Sequence, residues 1–98
     1  MPITMITRYS GNEEAIQQAA RANGPLILKY GAKESRLLRI STGPHIGQYV
    51  LLLRYDSYAD MESTQARLLQ DPSYVEAFAA LRKAAVVEDR TIYADVPT

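Results

Sequence analysis

Apolar residues recur along this chain in two rhythms, and the switches between them divide it into elements. Ile3, Met5, Thr7 and Tyr9 alternate with Thr4, Ile6 and Arg8 in a stretch rich in β-branched residues, which predicts a strand over 3–9. After the turn formers Ser10, Gly11 and Asn12 the spacing becomes helical. Ile16, Ala19, Ala20, Leu26, Ile27 and Tyr30 share one side, and Gln17, Gln18, Arg21 and Lys29 lie largely on the other. Asn12 is the predicted N-cap, and Glu13 and Glu14 follow it in the first turn, where the helix dipole favours carboxylates. Gly24 and Pro25 predict a kink, because proline removes one helical hydrogen bond and crowds the carbonyl of Arg21. Gly31 is the expected stop, since glycine takes the left-handed C′ conformation without strain.

Residues 34–42 read as a second strand, with Leu38 and Ile40 on one face and Leu37 on the other, beside two arginines. Turn formers from Thr42 to Gly47 join it as a hairpin to the most apolar run of the chain, Gly47 to Ser57. There Tyr49, Leu51, Leu53 and Tyr55 face one way and Val50, Leu52 and Arg54 the other, so both faces of the strand need cover. Exposing Val50 and Leu52 instead would forgo roughly 1.5–3 kcal/mol each. Ser57 with Asp60 three residues on predicts a helix start, with Met61, Leu68 and Leu69 inward. Asp71 and Pro72 break that helix and begin another, striped by Tyr74, Phe78 and Leu81. A fourth strand lies within Val86–Val96, centred on Arg90 to Ala94, with a weaker alternation than the others.

The order is β-α-β-β-α-β, the ferredoxin-like α+β plan: a four-stranded antiparallel sheet with strands one and three central and the helices on one face. The halves echo each other, since Arg8-Tyr9-Ser10 and Arg54-Tyr55-Asp56 each end a strand before a helix. Helices on one face leave the other apolar face bare, so the pattern predicts a homodimer joined through the sheet faces.

Bulk properties narrow the partners. Ninety-eight residues suit one domain spanning 1–98, and eleven basic residues balance eleven acidic ones, so neither nucleic acid nor a charged membrane surface is an expected partner. Without cysteine there is no disulfide framework or thiol nucleophile. With a single histidine there is no metal cluster to assemble, and no cofactor is expected. The amino terminus lacks a signal-peptide pattern and no apolar run reaches membrane-spanning length, which makes the cytoplasm the expected location.

Lys29-Tyr30-Gly31-Ala32, Arg54-Tyr55-Asp56-Ser57 and the stretch DPSYVEAF at 71–78, in this order of elements, resemble the dimeric α/β-barrel superfamily, and within it small NIPSNAP-like and antibiotic-biosynthesis-monooxygenase-like proteins. The resemblance covers nearly the whole chain, but its motifs belong to the scaffold. It implies a small-molecule protein, with cofactor-independent oxygenation, cyclisation or isomerisation as the chemistry and a non-catalytic ligand-sequestering or dimerisation module as the alternative. Haem degradation does not fit, because the chain has no tryptophan and no helix-borne histidine.

The candidate ligand-binding residues are Tyr9, Tyr30, Tyr49 and Tyr55, which offer apolar walls and hydroxyls, and Arg8 and Arg54, which can hold an anionic oxygen. Each has a plainer role too: a tyrosine at a strand end is a common core-boundary residue, and the arginines can serve in structural ion pairs. Antiparallel neighbours would put Arg8 and Arg54 at opposite ends of the sheet, so they do not form one clamp. His45 is the candidate base, set against a role as decoration of an exposed hairpin tip. Pro2 raises a further enzyme reading, a tautomerase whose base is the freed proline amine, with Arg8, Arg36 or Arg39 binding an acid substrate. The long second half with its divided helix fits the dimeric barrel better.

Overall fold

The structure is a computed structural model that describes residues 1–98. Its elements are β1 (Ile3–Gly11), α1 (Glu13–Tyr30), β2 (Glu34–Arg39), β3 (Tyr49–Tyr55), α2 (Tyr58–Leu69), α3 (Pro72–Ala84) and β4 (Ala85–Ala94). The four strands form one antiparallel sheet in the order β2-β3-β1-β4, the ferredoxin-like topology with β1 and β3 in the middle. The molecule measures 36 × 35 × 17 Å, the thickness of one sheet and one helical layer.

Pairing settles which face of the sheet is which. Ile3, Met5, Thr7 and Tyr9 on β1 stand opposite Tyr55, Leu53, Leu51 and Tyr49 on β3, and all but Leu51 are buried beneath the helices. Two packed clusters result, one around Ile3, Met5, Ile27, Leu53, Tyr55, Met61 and Leu68, the other around Tyr9, Ile16, Ala19, Tyr49 and Leu81. The opposite face carries Ile6, Arg8, Val50, Leu52 and Arg54, with Leu38 and Arg36 beside them on β2. No helix of this chain covers that face.

The caps fall where expected. The Asn12 side chain accepts from the Ala15 N–H at 2.9 Å, Ser57 Oγ from the Asp60 N–H at 3.1 Å, and Asp71 from the Ser73 and Tyr74 N–H groups. Gly31 ends α1 with φ +140°, and a Cβ there would collide with Thr64 Oγ1. Helix α1 continues through Gly24 and Pro25 as one helix, and its buried stripe, Ile16, Ala19, Asn23 and Ile27, lies on both sides of the proline. Three expectations need correction. The second strand stops at Arg39, since Ile40 already closes the hairpin with Gln48. Leu69 is 70% exposed, because α2 ends there and Leu68 takes the inward position. The fourth strand begins earlier, at Ala85, directly from α3.

Strand β4 also contains a bulge. Arg8 pairs with Asp89 but Tyr9 with Val87, which leaves Glu88 as the extra residue, its carboxylate accepting from Ser10 Oγ. The extra residue reverses the alternation: Val87 shares the helix side with Tyr9, and beyond the bulge Arg90 and Ile92 share it with Thr7 and Met5. That reversal explains the weak period of this segment, and it brings Arg90 to the side of the helices.

Candidate functional site

Between the helices and the sheet lies a cavity of about 250 Å³. The sheet supplies its floor through Met5, Thr7, Tyr9, Leu51, Leu53 and Tyr55; α1 supplies Ile16, Ala19, Asn23 and Ile27; α3 supplies Tyr74, Phe78 and Leu81. The volume lies just below the range of about 300–1,000 Å³ typical of small-molecule pockets, and the wall is mostly apolar with few polar groups, as such pockets are. Tyr74 and Phe78 stack on each other with ring centroids 5.9 Å apart.

Polar chemistry is concentrated in a few side chains. Tyr55 Oη and Asn23 Oδ1 are buried and have no hydrogen-bond partner. Arg90 enters from the exposed edge strand, its Nε donating to Thr7 Oγ1 at 3.1 Å, and Thr7 itself is 1% exposed. Burial pushes the Tyr55 hydroxyl up to about 12, with Tyr74 adding to the rise and Arg90 opposing it. Burial also raises Tyr9 and Tyr74 above the usual phenol value, again against the pull of Arg90. The three hydroxyls therefore stay protonated at neutral pH and act as hydrogen-bond donors.

The other tyrosines named from the sequence are engaged elsewhere. Tyr30 Oη donates to Asp71 Oδ2 at 2.7 Å, and Tyr49 Oη donates to Glu13 Oε1 while accepting from Gln17 Nε2 at 3.1 Å. Both hydroxyls tie helices to their neighbours rather than line the cavity. Arg8 and Arg54 lie on the open face of the sheet, where Arg8 pairs with Asp89 at 2.7 Å and Arg54 with Asp95 at 3.0 Å. They are in separate rows, Arg8 beside Val50 and Arg54 beside Thr4. His45 sits in the exposed β2–β3 hairpin with φ +68°, away from the cavity, and Pro2 is exposed at the start of β1. No group of three or more His, Cys, Asp or Glu side chains is placed to hold a metal ion, and no helix is long and apolar enough to cross a membrane.

Sequence reasoning missed Asn23, Arg90 and the cavity-facing position of Tyr74. Asn23 had a signal: it falls on the buried stripe at 16, 19, 23 and 27, where a polar residue stands out. Arg90 had none, because the bulge at Glu88 hides its facing.

The Tyr30–Asp71 bond gives a pH-dependent tie between α1 and the start of α3. The Tyr30 hydrogen bond, helped by the Ser73 and Tyr74 N–H groups, holds the Asp71 carboxyl below its usual value against the effect of burial. A carboxylate lowered on folding stabilises the fold above its unfolded pKa of about 3.9, and that contribution fades as the pH falls through the folded value. Tyr30→Phe is thus expected to lower the melting temperature at pH 7 and to approach the wild type as the pH falls below the usual carboxylate range, as followed by circular dichroism. A constant difference across that range would show that the ring, and not the bond to Asp71, matters.

No protein-family model matches the chain, and no functionally curated protein matches it. Solved structures do. SnoaB, a cofactor-independent oxygenase from Streptomyces nogalater, superposes with a TM-score of 0.75 at 15% identity, over 99% of this chain and 95% of that one. A candidate antibiotic biosynthesis monooxygenase from Nitrosomonas europaea gives 0.72 at 18% identity, over 97% and 90%. A NIPSNAP family protein of unknown function from Agrobacterium tumefaciens gives 0.69 at 19% identity, over 94% and 86%. What the chain shares with these antibiotic-biosynthesis-monooxygenase-like and NIPSNAP-family neighbours is their fold, the ferredoxin-like α+β fold.

Proposed function

We propose that this chain binds a small organic molecule in the cavity between sheet and helices, and that it works as a homodimer joined through the open sheet face. The observation that carries the reading is the pair of buried, unpartnered polar atoms on an otherwise apolar wall, Tyr55 Oη and Asn23 Oδ1. An unsatisfied buried polar group costs about 1–3 kcal/mol. A ligand that accepts from Tyr55 and donates to Asn23 removes both penalties, while its apolar body packs against Ile16, Leu53 and the Tyr74–Phe78 pair.

The chemistry this arrangement supports is cofactor-independent oxygenation, cyclisation or isomerisation. Each develops negative charge on a substrate oxygen, as an enolate or phenolate, and protonated tyrosines with an arginine stabilise such charge. The likeness to SnoaB, an oxygenase of this fold, supports the oxygenation branch. A second reading, ligand sequestration without chemistry, is favoured by one observation: no histidine, carboxylate, amine or thiol lines the cavity to move a proton near neutral pH.

Tyr55→Phe tests the site. It removes an unpaired buried hydroxyl, so the free protein is expected to melt no lower than the wild type, while 2-naphthol binds roughly 3- to 10-fold more weakly in a fluorescence titration. Unchanged affinity would remove Tyr55 from the ligand's path. Dioxygen uptake on adding 2-tetralone, a bicyclic ketone with an acidic methylene, separates oxygenation from sequestration.

A further inference from the structure

The cavity wall carries a single formal charge, and the chain does not balance it. Arg90 belongs to none of the four ion pairs, which join Arg8 to Asp89, Lys33 to Asp56, Arg36 to Glu34 and Arg54 to Asp95. Its acidic neighbours on β4 are committed elsewhere: Glu88 accepts from Ser10 in the bulge, and Asp89 pairs with Arg8 on the opposite face of the sheet. No aspartate or glutamate lines the cavity. Arg90 uses its Nε on Thr7, and the two Nη groups of the fork have no anionic partner.

We propose that the cavity selects an amphipathic organic anion, one that enters already ionised, with its charged oxygen on Arg90 and its apolar body among the side chains of α1, α3 and the sheet. The inference rests on the reading of the cavity as the ligand site. Arginine stays charged at every physiological pH and offers paired, parallel donors that match a carboxylate or an acidic enol oxygen. Ionisation on entry follows from the rest of the wall. Thr7, Asn23, Gln65 and the protonated tyrosines take no proton at neutral pH, so a ligand must lose its own to water first. A neutral ligand of the same shape would cover part of the guanidinium, which is exposed in the free protein, without supplying a counter-charge.

The test compares three bicyclic probes of similar size: 2-naphthoate, the acidic enol 2-hydroxy-1,4-naphthoquinone, and the neutral 2-naphthalenemethanol. Affinities are measured by titration calorimetry on the wild type, Arg90→Gln and Arg90→Lys. At least one anion is expected to bind the wild type roughly 10- to 100-fold more tightly than the alcohol. Arg90→Gln should abolish that preference by weakening the anions, and Arg90→Lys should restore part of it. Whichever anion binds more tightly identifies the oxygen acid, carboxylate or enol. An alcohol that binds the wild type as well as both anions, or an Arg90→Gln loss shared equally by all three, overturns the proposal and leaves the cavity site standing. If the wild type binds none of the three, the cavity reading falls with it.

Discussion

Leu52→Arg is expected to turn the proposed homodimer into a monomer. Leu52 lies near the middle of the open face, between Ile6 on β1 and Arg36 on β2, with Val50 in the next row. The apolar strip is flanked by the Arg8–Asp89 and Arg54–Asp95 pairs, which leave these arginines already neutralised. In a two-fold contact each substitution appears twice, so the interface would bury two unpaired guanidinium groups. Each costs several kcal/mol, and a total of at least about 4 kcal/mol raises the dissociation constant roughly a thousandfold. Light scattering after size exclusion should give twice the 10.9 kDa chain mass for the wild type and one chain for the variant. Leu28→Arg, on the exposed side of α1, should stay dimeric. A wild type that is monomeric at every concentration would sink assembly through this face.

The same residues show how far the sequence could be read. The doubly apolar run of β3 made its central place in the sheet plain, yet gave no way to tell which side meets the helices, because Leu51 and Leu52 are equally apolar. Register with β1 decides it, and register is a property of two strands together. Caps and stops were legible because each depends on one residue and its near neighbours: Asn12, Gly31, Ser57 and Asp71 all act within a turn of the helix they bound. Pro25 sits inside one continuous helix: its local penalty is real, but the buried stripe of α1 on both sides of it outweighs one lost hydrogen bond.

The site divides in the same way. Tyr9 and Tyr55 could be named from strand alternation, whereas nothing local distinguished them from Tyr30 and Tyr49, whose hydroxyls are claimed by Asp71 and Glu13 across the fold. Arg90 depends on a one-residue bulge in an edge strand, and a bulge leaves little trace in composition. The residue that gives the cavity its charge is therefore the one that pattern reading was least able to find.

That bulged strand hangs from a joint that a single methyl group should disrupt, and Gly11→Ala is expected to cost about 3 kcal/mol, roughly 12–24 °C in melting temperature. Gly11 has φ +118°, and a Cβ built on it would lie 2.7 Å from the Ala84 carbonyl oxygen and 2.8 Å from Ala85 Cα. Both obstacles are backbone, and the Ala84 carbonyl is held in place by the Asn12 N–H at 3.0 Å, so neither can swing aside as a side chain would. Gly43→Ala separates the two causes. Gly43 has φ +91° with nothing within 4 Å of a built Cβ, so its alanine variant should lose only the backbone share, about 1 kcal/mol. Calorimetric melting of both variants measures the difference, and equal losses would mean that the α3–β4 joint yields to the methyl group. The joint also links the two walls of the cavity, since α3 carries Tyr74 and Phe78 and β4 carries Arg90. At a temperature where Gly11→Ala remains folded, it should bind 2-naphthoate more weakly than the wild type, whereas Gly43→Ala should bind it equally well.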